Sequence, residues 1–486
     1  MSSIQKNVVS AAVRGIVQIV FPAITIAYVS RILNPDGIGK INFSNTFVSY
    51  FILLGGLGIN RYGTREGAKR RKNPAAVSQL AAELLAINGF MTVVSIALFA
   101  IVVLCAEQTE AYRNILLIYG FAIPLSALSM EWLYYSMEDY PYITKRITFC
   151  KTLGFACVFL FVRTKQDILV FAVIQVASNY GNYLLNFWHA GKYVSFRSVD
   201  ALKIRSHIAP IVTLFAASVS SSLYSSIDIT MLGFMSGDWE VGIYSVAIKV
   251  VHMLLGLCDL IIGVFLPRII SLMGEGEEQK VKEYRDALCH FVFMGIVPCV
   301  IVLLVWGRTI IYCFAGEEFD GAYSILCLLS ANLMFSNIKS LHESTMFLPA
   351  GKDRLIAGAM TGAMLVNIVL NTCFISRWGG IGAAAASVCS EALVAGIYSI
   401  AGKKAGMDLR VLRNMRTYLL GGGLVMAVWA LAERMFESAF TVCVSTTLMG
   451  AAAYLLTLVS ARDPYFRKLT EWAHACLCRR ASKNGD

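Results

Sequence analysis

The sequence predicts an all-α polytopic membrane protein of about 14 transmembrane helices, arranged as two six-helix lobes in a parallel pseudo-two-fold repeat plus two C-terminal helices. Three observations carry this expectation: long apolar runs, sparse charge, and an uneven spread of Lys and Arg. The 486 residues are 57% hydrophobic and only 15% charged, whereas a soluble domain carries roughly 25% charged residues. Mean hydropathy is +0.64. Stretches such as Met91–Cys105 and Val292–Trp306 contain no charge at all. They belong to runs of about 20 apolar residues, the length that crosses a bilayer core at about 1.5 Å per residue.

The runs are centred near residues 20, 51, 92, 126, 156, 179, 219, 252, 298, 335, 366, 391, 426 and 450. The N-terminal segment is too polar for a signal-peptide core, so the first span is expected to be retained. Most of the 42 Lys and Arg residues fall in segments that share one side of the membrane with the N-terminus, and Arg61–Lys72 alone holds six. By the positive-inside rule that side is cytoplasmic, with both termini on it. The net charge of +11 is thereby read as an orientation signal, and nucleic acid is excluded as a partner. Most of the 13 cysteines stand singly in apolar runs, which argues against a disulfide framework. The tail segment His474–Cys478 lacks a second ligand pair, so an interfacial helix is the better reading than a metal site.

A faint internal repeat orders the spans. Leu33–Phe51 and Met235–Leu254 each place an acid-containing turn before an apolar-Gly-apolar step, and aligning Gly39 with Gly242 gives an offset of 203 residues. An even number of spans per repeat keeps both copies in the same orientation. The expected organisation is an N-lobe (1–206, spans one to six), a C-lobe (207–404, spans seven to twelve), and 405–486 with two more spans and a cytoplasmic tail. No stretch resembles a soluble domain.

Polar stripes mark the interior. At about 100° per residue, positions 4, 7 and 11 apart share a helix face. Arg14 and Gln18 in span one, Asn42 and Asn45 in span two, and Gln175, Asn179, Asn182 and Asn186 in span six form such stripes, with Asn367 and Asn371 in span eleven. Single amides are commonly explained by interhelical hydrogen bonds; whole stripes point to a shared hydrated cavity. Ionisable residues at membrane depth include Glu131, Asp228, Lys249, Lys339 and Glu391. Lys339 and Glu343 are spaced to pair, and Lys151 is expected to snorkel at the inner interface. Buried cations suit an anionic diphosphate, amides suit a glycan, and carboxylates suit coupling to H+ or Na+. The corresponding candidates are Arg14, Lys249 and Lys339 for diphosphate; Gln18, Asn42, Asn45, Gln175, Asn179, Asn182 and Asn186 for glycan; and Glu131, Asp228 and Glu391 for ion coupling. No catalytic set, cofactor motif or metal cluster is found. The Gly/Ala-rich run Gly379–Ser387 opens an apolar helix and reads as a packing face.

Three junctions carry a family resemblance. Tyr28–Lys69, Ser225–Lys249 and Val366–Glu391 resemble the span one–two, seven–eight and eleven–twelve junctions of the bacterial polysaccharide flippases, also called O-antigen or oligosaccharide repeat-unit flippases. These belong to the multidrug/oligosaccharidyl-lipid/polysaccharide exporter superfamily. The resemblance implies translocation of undecaprenyl-diphosphate-linked oligosaccharide from the inner to the outer leaflet of a bacterial cytoplasmic membrane, by cation-coupled alternating access and not by enzymatic turnover. It implies a lipid-linked oligosaccharide substrate, membrane lipids around the chain, and polysaccharide polymerase machinery as a candidate partner. Asn34 stands where Gly is usual, which is expected only to stiffen the turn. The alternatives within the fold are a lipid II flippase or a multidrug exporter; the alternative of another class is a polysaccharide polymerase, which the short outer loops oppose.

Overall fold

In the computed structural model the described residues are 3–196, 199–405, 411–436, 439–461, 463 and 465–467, with side chains described except at 3–19, 217, 411–415 and 439–444. The expectations for the 474–478 tail lie outside them. Sixteen α-helices cover these residues, numbered in chain order. Spans one to three form α1 (Ser3–Gly56), the short α2 (Ile59–Arg70) and α3 (Pro74–Cys105). Span four is divided into α4 (Arg113–Gly120), α5 (Ala122–Ala127) and α6 (Glu131–Ser136). Span five is α7 (Tyr140–Phe161), and span six is α8 (Ile168–Asn179) with α9 (Asn182–Ala190). Then come α10 (Arg205–Ser236), α11 (Asp238–Gly274), α12 (Glu278–Ala315), α13 (Ala322–His342), α14 (Asp353–Lys404), α15 (Val411–Met435) and α16 (Ala439–Ser460). All 14 apolar run centres fall within these helices. Among the described residues, seven helical segments are long and apolar enough to cross a membrane by length and composition. On α3, Phe90, Val93, Ile101 and Leu104 share an exposed face, the pattern of a helix against lipid. The protein is all-α and multi-pass.

Two long helices each hold two spans. In α1 the backbone breaks at Asn34, with φ 58° and ψ 174°; in α14 it breaks at Gly379, with φ 53°. The Asn34 geometry lies in a region that essentially only Gly occupies without strain. The turn is therefore strained and not merely stiffened as the sequence reading expected. Its repeat equivalent, Gly237, holds φ 87° and ψ −179°, the same local shape on a residue that permits it.

The chain forms two compact units. The first comprises Met1–Lys249, Ile311–Ile325 and Met360–Ser387, and the second Val250–Ile310, Leu326–Ala359 and Val388–Asp486. Inside the first, the two repeat junctions interlock. A Cβ on Gly39 would stand 1.9 Å from the Asp238 carbonyl oxygen, and one on Gly242 would stand 2.0 Å from the Pro35 carbonyl oxygen. Pro35 and Asp238 are separated by the same offset as Gly39 and Gly242, so each junction does to the other what it receives. Such reciprocity is what a two-fold axis generates. Also within this unit, the Gly63 and Gly67 face of α2 admits the Trp132 indole, joining a core of Ile59, Tyr62, Leu80, Leu84, Trp132 and Leu133. In the second unit Gly422 of α15 lets Ile301 of α12 approach and Gly421 packs on Tyr454 of α16, the small-residue packing that membrane helices use.

Candidate functional site

Asp228 on α10 is buried, and its hydrogen-bond partners among the described residues are neutral. Asn371 Nδ2 on α14 donates to Oδ1 at 2.6 Å, and the Tyr244 hydroxyl on α11 donates to Oδ2 at 2.8 Å. Ser387, beyond the Gly379 break, also donates to Oδ2. Asn371 Nδ2 is shared with Asn367 Oδ1 at 2.9 Å, leaving Asn371 Oδ1 buried without a partner. A carboxylate, two amide oxygens and two hydroxyls meet here with no ion pair to Asp228 among the described residues. A hard monovalent cation or a proton fits this oxygen set. No three His, Cys, Asp or Glu side chains converge on a metal site among the described residues.

The candidate cations have different company. Lys249 on α11 donates to Asn42 Oδ1 on α1 at 3.0 Å and has no ion pair among the described residues; the Asn42 amide nitrogen is buried and unpartnered. Lys339 on α13, in the second unit, reaches Glu391 Oε1 on α14 at 2.7 Å, a partner 52 residues away that helical spacing could not supply. Asp259 accepts from Ser340 at 3.3 Å in the same unit. The side chains of Arg14 and Gln18 lie outside the described residues.

The span-six amides do not share one continuous face. Tyr180 and Gly181 interrupt the helix between Asn179 and Asn182, so the stripe read at constant 100° steps turns at this point. Most of these amides are held by protein. Gln175 Oε1 accepts from the buried Tyr119 hydroxyl at 2.8 Å. Asn186 is fully buried, donates to the Ser129 carbonyl, and accepts Tyr134 on its own carbonyl. Asn182 is buried and donates to the Asn179 carbonyl. Asn45 and Asn179 are half-buried. Lys151 donates to Asn179 Oδ1 and so adds a cation to this group.

Beside it, Glu131 Oε1 takes Arg146 Nη2 at 2.9 Å. Only 2% of the Arg146 side chain is exposed, and its Nε and Nη1 are buried without partners. Sequence reasoning counted Arg146 with a cytoplasmic loop. The signal that could have found it, a cation one helical face from Tyr142 on α7, is weak without coordinates. Tyr244 and Ser387 were also missed, because each sits in a junction whose glycines and alanines dominate its pattern.

Comparison with known proteins places this geometry. The family described as "Polysaccharide biosynthesis protein" matches residues 4–273, more than half of the chain. The chain belongs to the polysaccharide biosynthesis protein family. Within that frame it is 22% identical over 396 residues to the "Putative O-antigen transporter" of Escherichia coli (strain K12), covering 81% of this chain and 95% of that one. Among solved structures it is similar to the lipid II flippase MurJ in an inward closed conformation, with a TM-score of 0.72 and 14% identity over 94% of this chain and 98% of the other. An inward-facing multidrug resistance MATE family transporter of the MOP superfamily gives a TM-score of 0.61 at 14% identity, covering 82% of this chain and 98% of the other. These two likenesses establish the fold, which is the one the junction motifs implied.

Proposed function

We propose that this polysaccharide biosynthesis family member is a flippase. It carries undecaprenyl-diphosphate-linked oligosaccharide repeat units from the inner to the outer leaflet of a bacterial cytoplasmic membrane by cation-coupled alternating access of the lobes 1–206 and 207–404. The observation that carries the reading is the family match over residues 4–273, which spans the amide-rich half of a membrane-embedded transporter fold. The name of the Escherichia coli relative points the same way.

Within this reading Lys249 is the best-situated diphosphate contact, because among the described residues its ammonium meets an amide oxygen and no carboxylate and can exchange that weak partner for phosphate. Lys339 serves only where Glu391 releases it, and Arg14 completes the set. Half-buried Asn42, Asn45 and Asn179 meet the glycan first; Gln18, Gln175, Asn182 and Asn186 take part as the cavity opens. Asp228 is the preferred coupling group, since Glu131 and Glu391 are each held by a cation. Binding H+ or Na+ at Asp228 changes the charge of a cluster that ties α10, α11 and α14 together.

The test is depletion in the native host with mass spectrometry of undecaprenyl-diphosphate-linked oligosaccharides. Complete repeat units accumulating as surface polymer is lost is the expected result. Accumulating lipid II would move the reading to a lipid II flippase. Repeat units exposed outside but unpolymerised would make the chain a polymerase component.

A further inference from the structure

A cavity of about 150 Å³ lies inside the first unit, between α1, α2, α3, α5, α6 and α9. Comparable engineered cavities accept one benzene, so there is room for one six-membered ring. Its polar wall has an unusual bias. Asn88 donates its amide to the Ala127 carbonyl at 3.1 Å, which leaves Asn88 Oδ1 buried with no partner. Glu131 gives Oε1 to Arg146, and among the described residues no hydrogen bond reaches its Oε2. Tyr183 and Trp132 supply aromatic rings to a lining that also includes Ile52, Ile59, Leu84 and Met130. An unmet buried acceptor such as Asn88 Oδ1 costs roughly 1–3 kcal/mol, and the partly exposed Glu131 adds a carboxylate to the same lining.

We infer that this cavity is a sugar subsite: it takes one pyranose ring of the transported glycan, with ring hydroxyls donating to Asn88 Oδ1 and Glu131 Oε2 and the ring face against Trp132 or Tyr183. The chemistry selects against phosphate, which carries acceptors and negative charge where the wall already presents acceptors and a carboxylate. Arg146 orients Glu131 through its Nη2 contact at 2.9 Å without entering the cavity lining, so it is a positioning residue. Neighbouring α2 carries four of the six Arg61–Lys72 cations, the cluster read as marking the cytoplasmic side, which makes this an entry subsite. The inference rests on the flippase reading.

A photoreactive benzophenone side chain in place of Leu85, which also lines the cavity, tests it. The full chain is expressed in host cells that also carry the native protein, irradiated, and the adduct is analysed by mass spectrometry for hexose or N-acetylhexosamine increments. A second chain carries the group in place of Asn45, and a third combines position 85 with Ser126→Leu, which fills the cavity. The expected result is a sugar-bearing adduct at 85 that falls at least tenfold with Ser126→Leu. A correctly inserted protein giving no sugar-bearing adduct at 85, or one carrying phospholipid alone, overturns the inference. If the position-85 protein does not insert, the group is moved to Ser126, with Ala127→Leu as the filling change in place of Ser126→Leu, and judged by the same criterion. A sugar-bearing adduct at 45 without one at 85 overturns the subsite and leaves the flippase reading standing; absence at both with unchanged lipid-linked pools on depletion overturns both.

Discussion

Asn34 holds a backbone shape that its repeat equivalent assigns to Gly237. Strain of this kind costs about 1–3 kcal/mol, so Asn34→Gly is expected to stabilise the detergent-solubilised protein by about 1 kcal/mol. A rise in the thermal unfolding midpoint is the readout; an unchanged or lower midpoint would mean the Asn34 side chain offsets the strain. Asp228 gives a sharper functional contrast. Asp228→Asn keeps the shape and most hydrogen bonds of the cluster, and interhelical hydrogen bonds in membranes average only about 0.6 kcal/mol. Stability is therefore expected to change little while export falls at least tenfold. Export that merely tracked stability across Asp228→Asn, Asn371→Leu and Tyr244→Phe would reduce the cluster to packing. Lys339 must be probed with its partner, because removing one member of a buried pair costs about 3–5 kcal/mol regardless of any substrate role. The double variant Lys339→Met with Glu391→Leu is expected to be more stable than either single change. If it also exports normally, Lys339 has no part in binding the diphosphate.

At the scale of elements, the junctions of α1 and α11 depend on backbone meeting backbone. With carbonyl oxygens 1.9 and 2.0 Å from the missing Cβ atoms, neither Gly39→Ala nor Gly242→Ala can be accommodated by turning a side chain. Each is expected to lower folded yield in the membrane by similar amounts; a large difference between them would break the reciprocity. A second device secures the segment before α10. His207 Nε2 lies 2.7 Å from Glu83 Oε2 and its Nδ1 lies 2.6 Å from the Tyr62 hydroxyl, while Glu83 Oε1 accepts from Gln79 and from the Lys203 amide. Ser78 Oγ accepts the Ser195 amide at 3.0 Å. Glu83→Leu removes the shared acceptor, and limited trypsin digestion is expected to cut faster at Lys203 and Arg205. These elements also show what the sequence could and could not convey. Glycines at matching offsets and apolar run length are local properties, so the repeat, the spans and the packing role of Gly379–Ser387 were legible. Partners joined by folding were not: Glu391 for Lys339, Arg146 for Glu131 and Lys151 for Asn179 are separated by 15 to 52 residues. The break at Tyr180–Gly181 escaped because periodicity assumes an unbroken helix.

At the scale of the whole molecule, direction of transport depends on orientation, and orientation rests on where the cations sit. On α2, Glu66 faces Lys69, Arg70 and Arg65 at 2.7, 3.5 and 3.5 Å, and the Lys69 hydrogen bond holds its carboxyl below the usual range. The acid stays ionised near neutral pH, yet the segment keeps a strong positive excess that an outward topology would have to drag across the bilayer. Arg71 and Lys72 are therefore expected on the cytoplasmic side, with the turns near Glu110 and Glu317 outside. Single cysteines at Lys72, Glu110 and Glu317 in a cysteine-free chain distinguish the two arrangements in intact cells. A membrane-impermeant maleimide should label positions 110 and 317 at once and position 72 only after permeabilisation. The reverse pattern would put Glu131, Arg146 and the sugar-sized cavity on the outer side, where a repeat unit leaves and does not enter. The flippase could then keep its fold and family while the proposed loading end became the release end.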